Sequence, residues 1–511
     1  MPKASGPERR CPDEKYAISD AVCRARSERH FPKCRTCRWR QSPRASAAAE
    51  PHVDLDAIFK SYDIRGLADK EIRESLAWKV GYAAAMHLLG LLGPEGRARP
   101  EEHWIVVGYD MRPTSERLAR AVTDGIRAAG AGAIAIGEVE TPALYYAVGS
   151  LSALGGIQVT ASHLAAEYNG LKIAGPGCVP VGLGSGLEKI KEIVAGLVET
   201  ALQPIGPLRQ EDISSGYLAH VRKFAGAIRP MKMVVDCSNG MASRWTPSLL
   251  REYPIDLEAI NLERTGRFNH EPNPLKAGAI EELLSRVRAS GAALGACFDA
   301  DADRVVFVDE TGEAIPSDLV TALLVPGFLK KEPGAAIVYD LRSSWVLKET
   351  ILACGGVPRR ERVGHSFMKA ALRETRAPLG GELSGHTYYR DNYYCDSAVI
   401  TLLLVLALLS EHPDEPLSDL VRPLRRYATT GEVNFEVEDK QGMIQRLAQT
   451  FSDGKVDFLD GVTVEYADWW FNCRPSNTEP LLRLTLEART AALKDEMFEK
   501  MVAILGEPEE Q

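Results

Sequence analysis

The sequence predicts an α/β protein: three mixed α/β sheet domains with helices on both faces, followed by a C-terminal α+β domain. Three observations predict it. At 511 residues the chain exceeds what one hydrophobic core organises, so several domains are required. Short β-branched runs alternate with stretches of helical periodicity up to about Pro423, the pattern of mostly parallel sheets. Past Arg425, Glu432–Val437 alternates polar and apolar residues and helices thin out, as antiparallel strands require.

Residues 1–51 read as a basic, disordered extension. The first fifty carry 12 Lys/Arg against 6 Asp/Glu, with few apolar residues in any period. Cys34-Arg-Thr-Cys37 has a spacing zinc can use, but a lone Cys-x-x-Cys specifies little. A first domain (52–206) holds a helix near 75–92, the buried strand Trp104–Gly108, a helix opened by Thr114-Ser-Glu-Arg, the strand Ala133–Ile136, a helix from Pro142 and the strand Gly155–Thr160. A second (207–313) has strands at Met231–Asp236, Ile255–Ile260 and Ala292–Phe298. A third (314–424) has a strand at Ala335–Asp340, and the fourth spans 425–511.

Bulk properties narrow the function. The net charge is −9, and with its basic start removed the body is more acidic still, which argues against nucleic acid as the main partner. The greasiest run, Ala398–Leu409, is too short to span a bilayer and contains Thr401, so it reads as a buried helix. Cys178, Cys237, Cys297, Cys354, Cys395 and Cys473 lie in or beside apolar runs without framework spacing, as reduced thiols of a cytoplasmic protein do.

The chemistry concentrates in loops. Val159-Thr-Ala-Ser162-His-Leu-Ala-Ala-Glu-Tyr-Asn-Gly-Leu-Lys172 presents a hydroxyl, an imidazole and an amine after a buried strand, at the sheet edge where ligands sit. Asp299, Asp301 and Asp303 alternate, so a tight loop converges three carboxylates on one hard cation, Mg²⁺ being the natural guest. The Gly that an EF-hand needs at its sixth position is absent, Arg304 standing there, and Asp303 stands where a haloacid-dehalogenase motif wants Thr or Val. Arg474-Pro-Ser-Asn-Thr offers a guanidinium, hydroxyls, an amide and turn N–H groups, the donors a phosphate dianion asks for.

With Tyr62-Asp-Ile-Arg-Gly66 and Gly380-Gly-Glu-Leu-Ser-Gly-His386, these stretches in this order resemble the α-D-phosphohexomutases, most closely the phosphomannomutase/phosphoglucomutase branch, from about Phe59 to Glu487. The resemblance implies four domains around a central cleft and a hexose phosphate as partner, in a monomer or dimer. It implies that Ser162 is carried as phosphoserine and that its phosphate joins Asp299, Asp301 and Asp303 around Mg²⁺. Arg65, Lys172 and Arg304 would offset developing charge, and His365, in Val363-Gly-His-Ser, would take the sugar proton. Glu382, Ser384 and Arg342 would bind the sugar; Tyr62, Arg474, Ser476, Asn477 and Thr478 would bind the distal phosphate. Hexose 1,6-bisphosphate would serve as intermediate and activator.

The expected activity is interconversion of hexose 1- and 6-phosphates of mannose or glucose. Phosphoglucosamine mutase, or a catalytically weak sugar-phosphate binder, is the alternative. Five positions depart from the pattern. Leu164-Ala165 replaces Asn-Pro after Ser-His, Arg342 replaces Lys, Ala300 replaces Gly, and Leu383 stands where phosphomannomutases carry Met and phosphoglucosamine mutases Gln.

Overall fold

The computed structural model describes residues 53–197, 202–203, 205–476 and 481–509. The expectations for residues 1–51, and for Asn477 and Thr478, lie outside the described residues. The fold is three mixed α/β sheets followed by an antiparallel one. The first sheet has strands β1 (Ile64–Leu67), β2 (Trp104–Tyr109), β3 (Gly132–Glu138), β4 (Gly155–Val159), β5 (Tyr168–Ala174) and β6 (Leu208–Gln210), in the order β1-β5-β4-β2-β3-β6. The second has β7 (Met231–Asp236), β8 (Ile255–Ile260), β9 (Leu294–Phe298), β10 (Val305–Asp309) and β11 (Ala314–Ile315), ordered β11-β10-β9-β7-β8. In the third, β12 (Ala336–Asp340), β13 (Val357–Glu361), β14 (Leu379–Gly381), β15 (Thr387–Tyr389) and β16 (Cys395–Asp396) are ordered β13-β12-β14-β15-β16. The fourth, β17 (Ala428–Glu436), β18 (Lys455–Asp457), β19 (Val462–Glu465), β20 (Trp469–Pro475) and β21 (Leu481–Ala488), is ordered β17-β21-β20-β19-β18.

The expectation of mostly parallel sheets holds only for the helix-connected strands. In each α/β sheet a parallel half meets an antiparallel half: β4 pairs parallel with β2 and antiparallel with β5, β9 does the same with β7 and β10, and β14 with β12 and β15. The cause is loop length: the short connections after β4, β9 and β14 cannot cross over a sheet face, which a parallel return requires. The first sheet runs past residue 206, because Leu208–Gln210 pairs with β3, and the second past 313, because Ala314–Ile315 pairs with β10. Both strands are too short to show a period.

One buried apolar cluster runs continuously through the first three sheets, whereas Phe435, Phe471, Leu484 and Met501 belong to a separate core under the fourth. The helix Ala398–Glu411 is almost wholly buried in the shared core, and Ser397 caps it by accepting from the Ile400 N–H. Among the described residues no helix is long and apolar enough to cross a membrane. Gly240 seats the metal loop: a Cβ there would lie 2.6 Å from the Ala300 carbonyl oxygen, and the next N–H, of Met241, donates to that oxygen at 2.8 Å.

Candidate active site

Each sheet contributes one loop closing an antiparallel strand pair: β4 to β5 with Ser162, β9 to β10 with the three aspartates, β14 to β15 with Glu382, and β20 to β21 after Arg474. Ser162 is buried in a left-handed conformation, φ 53°. Its N–H donates to Thr160 Oγ1 at 2.9 Å, and its hydroxyl lies 3.3 Å from His163 Nδ1. Burial and then Arg304, Arg65 and Lys172 push the His163 imidazole well below its ordinary range, so the ring is neutral and able to accept. Arg65 donates to Asp63 at 2.7 Å and to the Ala161 carbonyl at 3.3 Å, which sets its guanidinium beside the loop.

Asp299, Asp301 and Asp303 are fully buried, with one oxygen of each inside a 4.8 Å cluster. Lys172, projecting from β5, donates to Asp301 at 2.7 Å and Asp303 at 2.6 Å, and Thr141 Oγ1 donates to Asp301 at 2.7 Å. Asp299 Oδ2, Asp301 Oδ1 and Asp303 Oδ1 have no hydrogen-bond partner. Burial, then Asp303 and Asp301, raises the Asp299 carboxyl well above the usual range. At Asp303 burial is outweighed by Lys172, His386 and Arg304, which hold it down to about 2. Lys172 bonds only Asp301 and Asp303, so one buried oxygen of each of the three carboxylates is left without a partner, and a hard divalent cation supplies what they lack. The residues therefore fit Mg²⁺.

The sugar loop meets the metal loop through a histidine the sequence reading left without a role. Arg304 Nε donates to His386 Nε2 at 3.0 Å, His386 Nδ1 lies 2.8 Å from Asp396, and Asp396 lies 2.7 Å from Lys369 Nζ. Glu382 accepts from Ser384 at 2.8 Å and from the Tyr388 hydroxyl at 3.0 Å, while the Leu383 N–H donates to Asp340 at 2.7 Å. His365 opens the helix His365–Thr375, half-buried, with its ring centroid 5.1 Å from that of Tyr62. Burial and Lys369 depress its pKa well below the ordinary value, and its Nδ1 has no partner. The Tyr62 hydroxyl donates to the Val363 carbonyl at 2.9 Å, joining the first sheet to the third.

At the far end three guanidiniums converge on one carboxylate. Arg474 and Arg342 donate to Glu432 Oε2 at 2.7 and 3.1 Å, and Arg483 donates to Oε1 at 3.0 Å. Burial would raise this carboxyl, but Arg342, Arg474 and Arg483 hold it at about 2. Arg342, expected at the sugar, thus keeps company with the phosphate-loop arginine while also donating to Asp340 at 2.8 Å. The Ser476 N–H donates to the Leu481 carbonyl at 2.8 Å, closing the base of that loop. His386, Asp396, Tyr388, Glu432 and Arg112 were not singled out from sequence. Only His386 and Glu432 lay inside stretches that had been singled out, and nothing local marked them as site residues.

Comparison with known proteins places this geometry. Phosphoglucomutase/phosphomannomutase alpha/beta/alpha domains I, II and III match residues 56–199, 215–312 and 316–427, and the C-terminal domain of that family matches 432–504. A phosphomannomutase of Vibrio cholerae is 34% identical over 459 residues, covering 88% of this chain and 98% of that one. The phosphomannomutase of Escherichia coli K12 is 35% identical, covering 84% and 94%. The crystal structure of a phosphoglucomutase/phosphomannomutase family protein from Burkholderia thailandensis superposes with a TM-score of 0.79 at 30% identity, covering 89% of this chain and 98% of that one.

Proposed function

The chain belongs to the α-D-phosphohexomutase family and is a mutase, an intramolecular phosphotransferase; from that premise we propose that it interconverts the 1- and 6-phosphates of mannose or glucose through a phosphoserine at Ser162 and a 1,6-bisphosphate. The observation that carries this reading is that the loop bearing Glu382 is tied on one side to the acidic, cation-fitting loop, through Arg304 and His386, and on the other to the arginine cluster, through the Leu383 N–H, Asp340 and Arg342. A dianion at each end of one sugar matches that arrangement.

Ser162 carries the phosphoryl group and gives it to the free hydroxyl of the bound sugar phosphate. Asp299, Asp301 and Asp303 would hold Mg²⁺, and the chemistry it would supply when bound is neutralisation of charge on the transferring group. Lys172, Arg65 and Arg304 line the same pocket and stabilise the equatorial oxygens. In this reading proton transfer falls to His386 rather than His365, because His386 adjoins the metal loop, 3.7 Å from Asp303. His365 and Tyr62 wall the phosphate end. Glu382 and Ser384 grip the vicinal hydroxyls that glucose and mannose share, and the apolar Leu383 suits neutral hexoses over glucosamine. Arg342, Arg474 and Ser476, with Asn477 and Thr478, receive the distal phosphate. The bisphosphate turns end for end between half-reactions, which the separate core of the fourth sheet accommodates by a hinge near Pro423.

The test is turnover of the 1-phosphates of mannose, glucose and glucosamine, coupled to sugar-specific dehydrogenases, with intact mass to detect phosphoserine. Highest kcat/KM on glucosamine 1-phosphate would move the assignment to phosphoglucosamine mutase. No turnover of any of the three would sink the mutase reading of this site.

A further inference from the structure

We propose that Arg112 is the positioning residue of the phosphoryl-carrying loop: by holding four backbone carbonyls it sets where the Ser162 hydroxyl points. The inference rests on the reading of Ser162 as the carrier. Arg112 follows β2 and is 3% exposed. Its Nη2 donates to the carbonyls of Ser162 at 2.9 Å and Leu164 at 2.5 Å, and its Nη1 to those of Ala165 at 2.7 Å and Tyr168 at 3.0 Å. Its Nε donates to Asp110 at 3.1 Å. All five N–H donors of the guanidinium are therefore used, one on the carboxylate that aims it and four on the loop.

The same turn holds the end of the loop. Asn169 donates to Thr114 Oγ1 at 2.7 Å and to Ser115 Oγ at 3.0 Å, and Ser115 donates to Asp110 at 2.5 Å. The Arg112 guanidinium also lies 5.4 Å from the centroid of the Phe268 ring, so protein backs it on the side of the second domain. A loop held this way needs holding: Ser162 adopts a left-handed φ of 53°, which a residue with a Cβ keeps only where its surroundings impose it. In this chain the loop lacks the stiffening proline and the side-chain amide that the resemblance leads one to expect at 165 and 164. The carbonyls of those two residues take the two shortest bonds from the fork. Lysine, a single point donor, cannot reproduce the fork geometry.

Arg112→Gln and Arg112→Lys test this in the full-length enzyme. Both lower kcat about 100-fold, as expected for misplacing a reacting group by about an ångström. KM for the sugar phosphate stays within about threefold, because Glu382, Ser384 and Arg474 lie on other loops. Amide hydrogen exchange speeds up in peptides covering 160–169 and is unchanged in those covering 335–345. Adding Ala165→Pro to Arg112→Gln slows the 160–169 exchange again and recovers about tenfold of kcat, a rescue that a general structural role would not permit. Exchange rising throughout the chain, no rescue, or kcat within about threefold of the parent overturns the proposal. If the parent enzyme turns over no hexose phosphate, it is the mutase reading that fails, and the exchange and rescue-of-exchange measurements still decide whether Arg112 holds the loop.

Discussion

The two ends of the site are electrostatic opposites built on one plan. At the serine end one ammonium, Lys172, pairs with two of three clustered carboxylates; at the far end three guanidiniums pair with one carboxylate, Glu432. The difference lies in what each central group leaves over. Lys172 leaves one oxygen of each aspartate without a hydrogen-bond partner, whereas Arg474, paired to Glu432, keeps its Nε–H without one. The serine end thus asks for a cation and the far end for an anion. Under the proposed function, a sugar with a phosphate at each end would meet the cation-fitting cluster at one and the guanidinium cluster at the other.

Removing the carrier tests the comparison most severely. Ser162→Ala lowers kcat by about 10⁴-fold or more while the protein folds and still binds Mg²⁺, because nucleophile loss of this kind removes the chemistry and not the pocket. Intact mass shows the phosphoryl group on the parent alone; near-parental turnover by the alanine variant would place the nucleophile elsewhere. Next in size, Asp301→Asn weakens the cation and lowers kcat about 100- to 1,000-fold at saturating sugar. Undiminished activity of the parent in excess chelator would remove the cation from the serine end.

At the opposite end the effect is smaller and falls on binding. In Glu432→Gln the neutral amide aims three guanidiniums less firmly than a carboxylate, so KM rises about five- to tenfold with little change in kcat. Steady-state kinetics decides it, and a fall in KM would make Glu432 a competitor of the phosphate instead. The smallest effect concerns Glu140, next in sequence to Thr141. Burial, opposed by the Tyr217 hydrogen bond, raises its carboxyl to about 8. Between the unfolded value near 4.5 and about 8 the folded state binds the extra proton, so this group's contribution to stability falls as pH rises through that window. Glu140→Gln therefore raises the melting temperature at pH 8, by the equivalent of a few kcal/mol at most, and makes little difference below pH 4.5. Melting curves at both pH values check it.

Much of this was legible in the sequence, and the rest divides by physical cause. Buried central strands announce themselves: Met231–Asp236 and Ile255–Ile260 are found with the expected bounds, and Ala398–Glu411 is the expected buried helix. Leu208–Gln210, Ala314–Ile315 and Cys395–Asp396 are too short for any period to emerge. The switch from parallel to antiparallel pairing was hidden because pairing direction depends on connection length, not on the residues of the strand. Residues with intrinsic chemistry in a pattern, such as Asp299, Asp301 and Asp303, could be read directly. Arg112, Glu432 and Asp396 could not, because an arginine or a carboxylate in isolation acquires its role from partners 50 residues away for Ser162 and Arg112, and 90 for Arg342 and Glu432.

The bond between Lys172 and Asp301 spans 129 residues of chain. Synthesised N-terminus first at ~5–20 residues per second, the lysine emerges roughly ten seconds before its carboxylate partner. For that interval the chain carries Ser162 and Arg112 but not Asp299, Asp301 or Asp303, so it offers a hydroxyl with no carboxylate cluster beside it. Under the proposed mechanism, assembly order thus safeguards the nascent chain: a phosphoserine at Ser162 would have no site in which to form, or be lost to water, until the second domain is made and joins the first.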